Sequence, residues 1–160
     1  MADPHKPRLL IIGVGNPYRS DDAAGLLAAR QLKDAGFASA QVVEHSGEGT
    51  SLMESWKGAD AVILIDAVSS GRIPGAIYRM DPVNKPLPAQ MFQTSTHAFS
   101  LFQAIEMARA LNQLPPHLIV FGIEGHTFQA GTQQSQAVDE ALPELVRRVL
   151  KEAARMKARI

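Results

Sequence analysis

The nine residues ADAVILIDA (59–67) constrain the fold more than any other stretch, because they place an unbroken apolar run between two aspartates. A short apolar run of this kind is typical of a strand that is buried on both faces of a sheet. The segments 8–12 and 117–124 have the same character, and further strands are predicted at 41–44 and 75–81. The chain is therefore expected to contain five strands.

Helices are predicted between and after these strands, at about 21–35, 50–56 and 97–111 and in the C-terminal segment. The last helix has an amphipathic face, although Pro143 lies inside the pattern and is expected to kink it or to mark its first turn. Three prolines within 82–94 predict a surface loop. Strands that alternate with helices indicate the α/β class. We expect a three-layer sandwich, in which a central, mostly parallel, twisted five-stranded sheet has helices on both faces.

Length and composition exclude several classes of protein. The 160 residues are 46% hydrophobic, which suits a single domain, residues 1–160, with its core at about 8–150. Sixteen basic and sixteen acidic residues cancel, so neither nucleic acid nor an anionic membrane is an expected partner. The absence of cysteine excludes disulfides and thiolate catalysis. The polar start MADPHKPR is unlike a signal peptide, so a cytoplasmic protein is expected. We also expect the protein to be a monomer.

The glycine motif GVGNPYRSDD follows the first predicted strand and raises the question of a nucleotide-binding loop. Tyr18 occupies the third glycine position of the dinucleotide fingerprint, and Pro17 lacks the N–H that a phosphate would use. Two carboxylates follow, and they would repel a diphosphate. No Gly-Lys-Ser/Thr occurs, which excludes a Walker loop. The motif instead predicts a tight strand-to-helix turn built on Gly13, Gly15 and Asn16.

Two adjacent aspartates stand at the start of the first predicted helix. We assign Asp21 as the residue that caps this helix, as an alternative to Ser20. Asp22 is then left free to bind a cation or to take up a proton. A tight turn without further chemistry is an equally good interpretation of the spacing alone.

Asp66 and His97 are the other candidates. Asp66 follows a buried strand, and the carboxyl ends of parallel strands line the ligand crevice of α/β proteins. His97 is predicted in the first turn of a helix, capped by Ser95 or Thr96, where the helix dipole disfavours the imidazolium. Each also has an ordinary interpretation, as a turn residue and as a surface or core histidine. Two carboxylates and an imidazole nevertheless form a ligand set for a divalent metal. His45 and His126 follow the second and fifth predicted strands and could reach the same crevice, and Glu124 ends the fifth strand, but an ordinary structural role is favoured for each.

The segments GVGNPYRSDDAAG, ILIDAV, STHAFSLFQAI and VFGIE, in this order, resemble the hydrogenase maturation proteases over roughly residues 8–150. These endopeptidases remove the C-terminal extension of the [NiFe]-hydrogenase large-subunit precursor after nickel insertion. The resemblance implies that the catalytic and metal-contacting residues are Asp22, Asp66 and His97. It also implies that the precursor supplies the nickel and that no metal is permanently bound. The segment GIEGH (122–126) departs from the family pattern, so the cognate hydrogenase is not implied.

Two other functions remain open at this point. The same three side chains would suit a peptidase that holds its own zinc with one open position. They would also suit a nickel-binding accessory protein that performs no hydrolysis. Stoichiometric zinc in the purified protein would favour the zinc peptidase over the maturation protease. A change in the length of the precursor on incubation would distinguish a protease from the accessory protein.

Overall fold

The computed structural model describes residues 6–160, and in these residues five strands form one mixed sheet in the order β2-β1-β3-β5-β4. Residues 1–5, on which most of the signal-peptide argument rests, lie outside the described residues. Only β4 is antiparallel to its neighbour. The strands are β1 (Leu9–Val14), β2 (Gln41–His45), β3 (Ala61–Val68), β4 (Ile77–Met80) and β5 (His117–Glu124).

In the part of the chain that the structure describes, four helices cover the two faces of the sheet: α1 (Ala24–Asp34), α2 (Gly49–Trp56), α3 (Leu101–Ala110) and α4 (Gln136–Lys157). Alternate residues of β1 belong to different cores, because successive side chains of a strand point to opposite faces. Leu9 and Ile11 pack with α1 and α4, whereas Leu10 and Ile12 pack with α2 and α3. The three-layer α/β sandwich predicted from the sequence is confirmed. Among the described helices, none combines the length and the apolar character that crossing a membrane would require.

Two local predictions were wrong, and one of the two alternatives for Pro143 is excluded. The third helix begins at Leu101 rather than near His97, because Ser100 and Gln103 form a capping box in which the Ser100 N–H donates to Gln103 Oε1 at 3.1 Å. The 82–94 segment is not wholly a surface loop, since a 3₁₀ turn at Ala89–Phe92 buries two side chains beneath the α2–α3 layer. Pro143 lies well inside α4, so it does not mark the first turn of that helix, and the alternative that it kinks the helix stays a prediction.

A close backbone contact sets α1 against the sheet. A Cβ atom on Gly25 would lie 2.2 Å from the Val14 carbonyl oxygen and 2.4 Å from that of Ile65. A Cβ on Gly13 would lie 2.1 Å from the Gly25 carbonyl oxygen. Glycine at both positions therefore lets the helix rest directly on β1 and β3. The loop between β1 and α1 is thereby held at the edge where the parallel strands end.

We expect Gly25→Ala to destabilise the protein by about 3 kcal/mol, which is the upper end of the usual cost of overpacking. Alanine is more favourable than glycine inside a helix by about 1 kcal/mol, but this gain is smaller than the cost of the clash. Gly36→Ala is the matched control, because Gly36 has φ +71° and no atom within 4 Å of its would-be Cβ. That change should cost only about 1 kcal/mol of backbone strain. Urea unfolding of both variants measures the difference, and equal losses would contradict a packing role for Gly25.

Candidate active site

A small cleft lies at the carboxyl edge of the parallel strands, and Asp22, Asp66 and His97 all line it. Its walls come from the ends of β1 and β3, the turn after β2 and the segment before α3. The cleft offers a volume of about 20 Å³ to the centre of a water molecule. This is roughly the space that one water molecule or one ion needs. The structure thus brings together the three residues that were singled out in the sequence.

Asp22 lies in a 3₁₀ turn, Ser20–Ala23, and is buried. Its Oδ2 accepts the backbone N–H of Asn16 at 3.1 Å and lies 3.7 Å from Nη1 of Arg19. Burial raises the pKa of the Asp22 carboxyl, because the charged form loses hydration. The Arg19 charge, the Asn16 N–H and His97 oppose that rise in pKa without cancelling it.

Asp66 lies in β3, opposite Gly122 of β5. Burial is the main cause that raises the pKa of the Asp66 carboxyl well above its usual value, and the charge of Asp22 raises it further. The backbone N–H of Ala67 acts in the opposite direction. The ionised form of Asp22 therefore disfavours ionisation of Asp66. A cation placed between them would relieve this repulsion.

His97 lies in the loop that precedes α3, four residues before its first helical residue. The predicted influence of a helix dipole on this ring was therefore wrong. Its Nε2 lies 3.2 Å from the carbonyl oxygen of Ser46. A carbonyl can only accept, so Nε2 carries a proton, and in the neutral form of the ring Nδ1 keeps the lone pair. The loop itself is held by Arg19, whose Nη1 donates to the Thr94 carbonyl at 2.7 Å.

The donor chemistry of the cleft suits a divalent cation, but the side chains are not closed around one. Within residues 6–160, no group of three or more His, Asp or Glu side chains is arranged to hold a metal ion as it stands. Asp22, Asp66 and His97 are spread along the walls of one small cleft. Two mutually repelling carboxylates beside an imidazole nevertheless make a cation the favoured occupant.

Asp21 does not cap α1, contrary to the prediction. The residue before α1 is Ala23, which makes no side-chain cap hydrogen bond. Asp21 is fully buried, and its carboxylate accepts the backbone N–H groups of His126, Thr127 and Ser135 at 2.7 to 3.1 Å. It also accepts the Ser135 hydroxyl at 2.9 Å. Asp21 therefore ties the β1–α1 loop, which also carries Asp22, to the segment between β5 and α4.

Glu124 has a structural place. Its buried carboxylate accepts the Ser70 N–H at 2.8 Å, the Ser70 hydroxyl, and the Tyr78 hydroxyl at 2.9 Å. It thereby anchors the loop between β3 and β4. Burial, assisted by Glu124, raises the pKa of Tyr78.

Three residues of the site escaped the sequence reasoning: Arg19, Ser46 and Gly47. Arg19 acts on the cleft partly through a backbone carbonyl, and the Ser46–Gly47 turn contributes backbone groups. The only signal in the sequence is the turn-forming pair Ser46-Gly47 directly after a strand.

A family model described as hydrogenase maturation protease matches residues 26–152, which is most of the chain. The chain belongs to this family. The matched region contains Asp66 and His97 and begins just after Asp22. The resemblance drawn from the sequence motifs is thus confirmed.

Among curated relatives, the hydrogenase expression/formation protein HupD of Thiocapsa roseopersicina is 26% identical over 120 residues. The alignment covers 74% of this chain, which spans only 54% of the length of that protein. The hydrogenase maturating endopeptidase HybD from E. coli shares the fold with a TM-score of 0.76, at 21% identity and 93% coverage of each chain. A second endopeptidase from Escherichia coli, solved in solution, reaches a TM-score of 0.80 at 22% identity, again with 93% of each chain covered.

Removing the Asp21 carboxylate should destabilise the protein by about 3 kcal/mol, because four donors lose their acceptor and three of them are backbone groups. A lost helix cap would cost only about 1 kcal/mol. Urea unfolding of Asp21→Ala gives the size of the loss, and hydrogen exchange should show faster exchange at Thr127 and Ser135. Asp22→Ala is the matched control and should fold normally. Parent-like stability of Asp21→Ala would contradict the tie.

The raised pKa of Asp66 predicts a pH-dependent stability difference. The folded state holds a proton that the unfolded chain gives up, so this contribution is complete below the ordinary value of about 3.9 and is lost as pH rises through the folded value. Asp66→Asn never ionises and should melt a few degrees above the parent at neutral pH. The difference should vanish towards pH of about 4.

Thermal melts across this range measure that difference. Glu54→Gln, a change at an exposed acid of α2, is the control and should follow the parent at every pH. An Asp66→Asn variant less stable than the parent at neutral pH would show that the ionised carboxylate stabilises the fold.

Proposed function

We propose that this chain is an endopeptidase that removes the C-terminal extension of a [NiFe]-hydrogenase large-subunit precursor after nickel has been inserted. Membership of the hydrogenase maturation protease family supports the class of activity. The observation that carries the proposal is the convergence of Asp22, Asp66 and His97 on one cleft at the sheet edge. We propose that these three side chains recognise the nickel in the precursor.

Nickel enters this reaction as part of the substrate. The cleft has room for about one ion, and its two carboxylates carry raised pKa values in the absence of a cation. A nickel ion presented by the precursor would replace the protons held by the carboxylates and accept the free nitrogen of His97. An empty precursor would offer no such partner. Binding energy that appears only with the loaded precursor is a means of specificity.

The hydrolytic step needs a proton acceptor and, later, a proton donor. We propose that one of the two carboxylates takes a proton from a water molecule as its oxygen attacks the scissile carbonyl carbon. The same carboxyl then returns the proton to the leaving amine as the peptide C–N bond breaks. A carboxylate that gives up its proton when nickel binds is available as the base, and burial in the cleft opposes nickel by raising the pKa of that carboxyl towards the working pH, which suits the return of the proton. Contact between nickel and the scissile carbonyl would polarise that carbonyl.

We expect the purified protein to shorten nickel-loaded precursor and to leave nickel-free precursor intact, as intact-mass spectrometry would show. Asp22→Ala and His97→Gln should fold and melt like the parent, yet lower the rate of cleavage by at least about a hundredfold, as loss of a group acting at the transition state does. His117→Gln is the matched control, because His117 begins β5 at the opposite edge of the sheet.

Three outcomes of the same experiment would contradict the proposal. Cleavage of nickel-free precursor together with stoichiometric zinc in the purified protein would favour a zinc peptidase. Binding of loaded precursor without any change in its length would favour an accessory protein. A stable His97→Gln variant that cleaves at the parent rate would remove His97 from the site. The cytoplasmic location and the monomeric state stay predictions.

A further inference from the structure

The peptide bond between Ser46 and Gly47 lies between two imidazole rings. Its N–H donates to Nδ1 of His45 at 2.9 Å, and its carbonyl oxygen lies 3.2 Å from Nε2 of His97. A peptide unit is planar and rigid, so an orientation fixed at the N–H also fixes the C=O. Rotation of this unit by half a turn would present an N–H to His97 and a carbonyl to His45.

The His45 end of this arrangement is anchored in the sheet. His45 is the last residue of β2 and is paired with Val14, and its own carbonyl accepts the Gly15 N–H at 3.0 Å. Nδ1 of His45 receives a backbone N–H, so this nitrogen carries no proton. Burial, assisted by the charge of His97, lowers the pKa of His45, although Glu48 opposes this, and a lowered pKa agrees with a neutral ring.

The turn itself fits closely between its neighbours. Gly47 has φ +91°, a left-handed conformation that other residues rarely adopt. A Cβ atom at this position would meet Val14 Cγ1 at 2.8 Å and would lie 3.9 Å from Cδ2 of His97. The Ser46–Gly47 peptide is therefore packed directly beside the ring that lines the cleft.

We propose that His45 is a positioning residue for His97. It holds the Ser46–Gly47 peptide in the one orientation in which the Ser46 carbonyl accepts the Nε2 proton of His97. Nδ1 is then the only nitrogen of His97 with a free lone pair. The use of this lone pair to bind the nickel of the precursor rests on the proposed function. The control of the His97 tautomer by His45 is independent of that function.

Physical chemistry gives this arrangement a measurable effect. If the peptide turned over, its N–H would favour a bare Nε2 and move the proton of His97 to Nδ1. The partner of the non-ligating nitrogen fixes the tautomer and orientation of a metal-binding histidine, and its loss typically weakens metal binding by about 10- to 100-fold.

Three substitutions test the role of His45. Asparagine places its side-chain oxygen where it accepts an N–H two residues onward, as in an Asx turn, so His45→Asn should replace the Nδ1 contact. The glutamine side chain is one bond longer, so its oxygen does not reach the Gly47 N–H in the geometry of an Asx turn. His45→Gln should therefore behave like His45→Ala. Comparing the two amides separates a specific contact from general polarity.

The direct measurement is the tautomer of His97, read from its ring nitrogen shifts by NMR at a pH of about 8, where an ordinary histidine is neutral. The parent and His45→Asn should carry the proton on Nε2. His45→Ala and His45→Gln should show a mixture of tautomers. The rings of His117 and His126 serve as internal references and should not change.

Zn²⁺ is the probe for the second measurement, by calorimetry. The affinity for Zn²⁺ should fall about 10- to 100-fold in His45→Ala and recover in His45→Asn.

A parent protein in which His97 is protonated on Nδ1 would overturn the proposal even if no variant folded. So would an unchanged tautomer in His45→Ala, or a folded His45→Asn that behaves like His45→Ala. Failure of precursor cleavage with the expected tautomer pattern would instead overturn only the proposed function.

Discussion

The direct contact between the backbones of α1 and the first and third strands is the constraint on which the rest of the site depends. No side chain fits at Gly25, because the carbonyl oxygens of Val14 and Ile65 already occupy the space of a Cβ atom. The helix must therefore begin immediately above the sheet edge. The turn that precedes it carries Asp22 into the cleft that Asp66 also lines.

This proximity has an energetic consequence. Two carboxylates in a partly dehydrated cleft repel each other, and the positive charges of Arg19 and His97 near Asp22 do not cancel the cost of burial. The folded chain thus keeps a locally unfavourable pair that its core must stabilise. Binding sites commonly hold such destabilised groups, because a ligand of the opposite charge then gains the energy that the empty site lacks. Burial raises the pKa of both carboxyl groups, and the charge of Asp22 raises that of Asp66 further, so a divalent cation placed beside them would be favoured.

Sequence patterns predicted the central strands well, because burial on both faces leaves few alternatives. The fifth strand was predicted at 117–124 and is observed as His117–Glu124. The start of α3 was misplaced because Ser95, Thr96 and Ser100 are all good caps. The Ser-x-x-Gln spacing of Ser100 and Gln103 was the available signal, and it identifies the residue whose N–H finds a side-chain acceptor.

The role of Asp21 was beyond sequence reasoning for a different reason. Its acceptor contacts reach residues 105 to 114 positions away, which no local pattern reveals. The support of His97 is similar, since it comes from the carbonyl groups of Ser46 and Thr94 rather than from side chains. Residue types identify groups that can bind a metal, because those groups are chemically distinctive. They do not identify the backbone atoms that orient them, because every residue carries the same backbone.

Neighbouring loops therefore position the side chains of the cleft by holding one another. Arg19 links the turn of Asp22 to the segment of His97, and the Ser46–Gly47 peptide links that ring to the end of β2. Asp21 fastens the first of these loops to the start of α4. Each connection joins a site loop to an element of the sandwich or to another site loop. A substitution at a loop residue without any metal-binding atom can thus alter the cleft as much as the loss of a ligand.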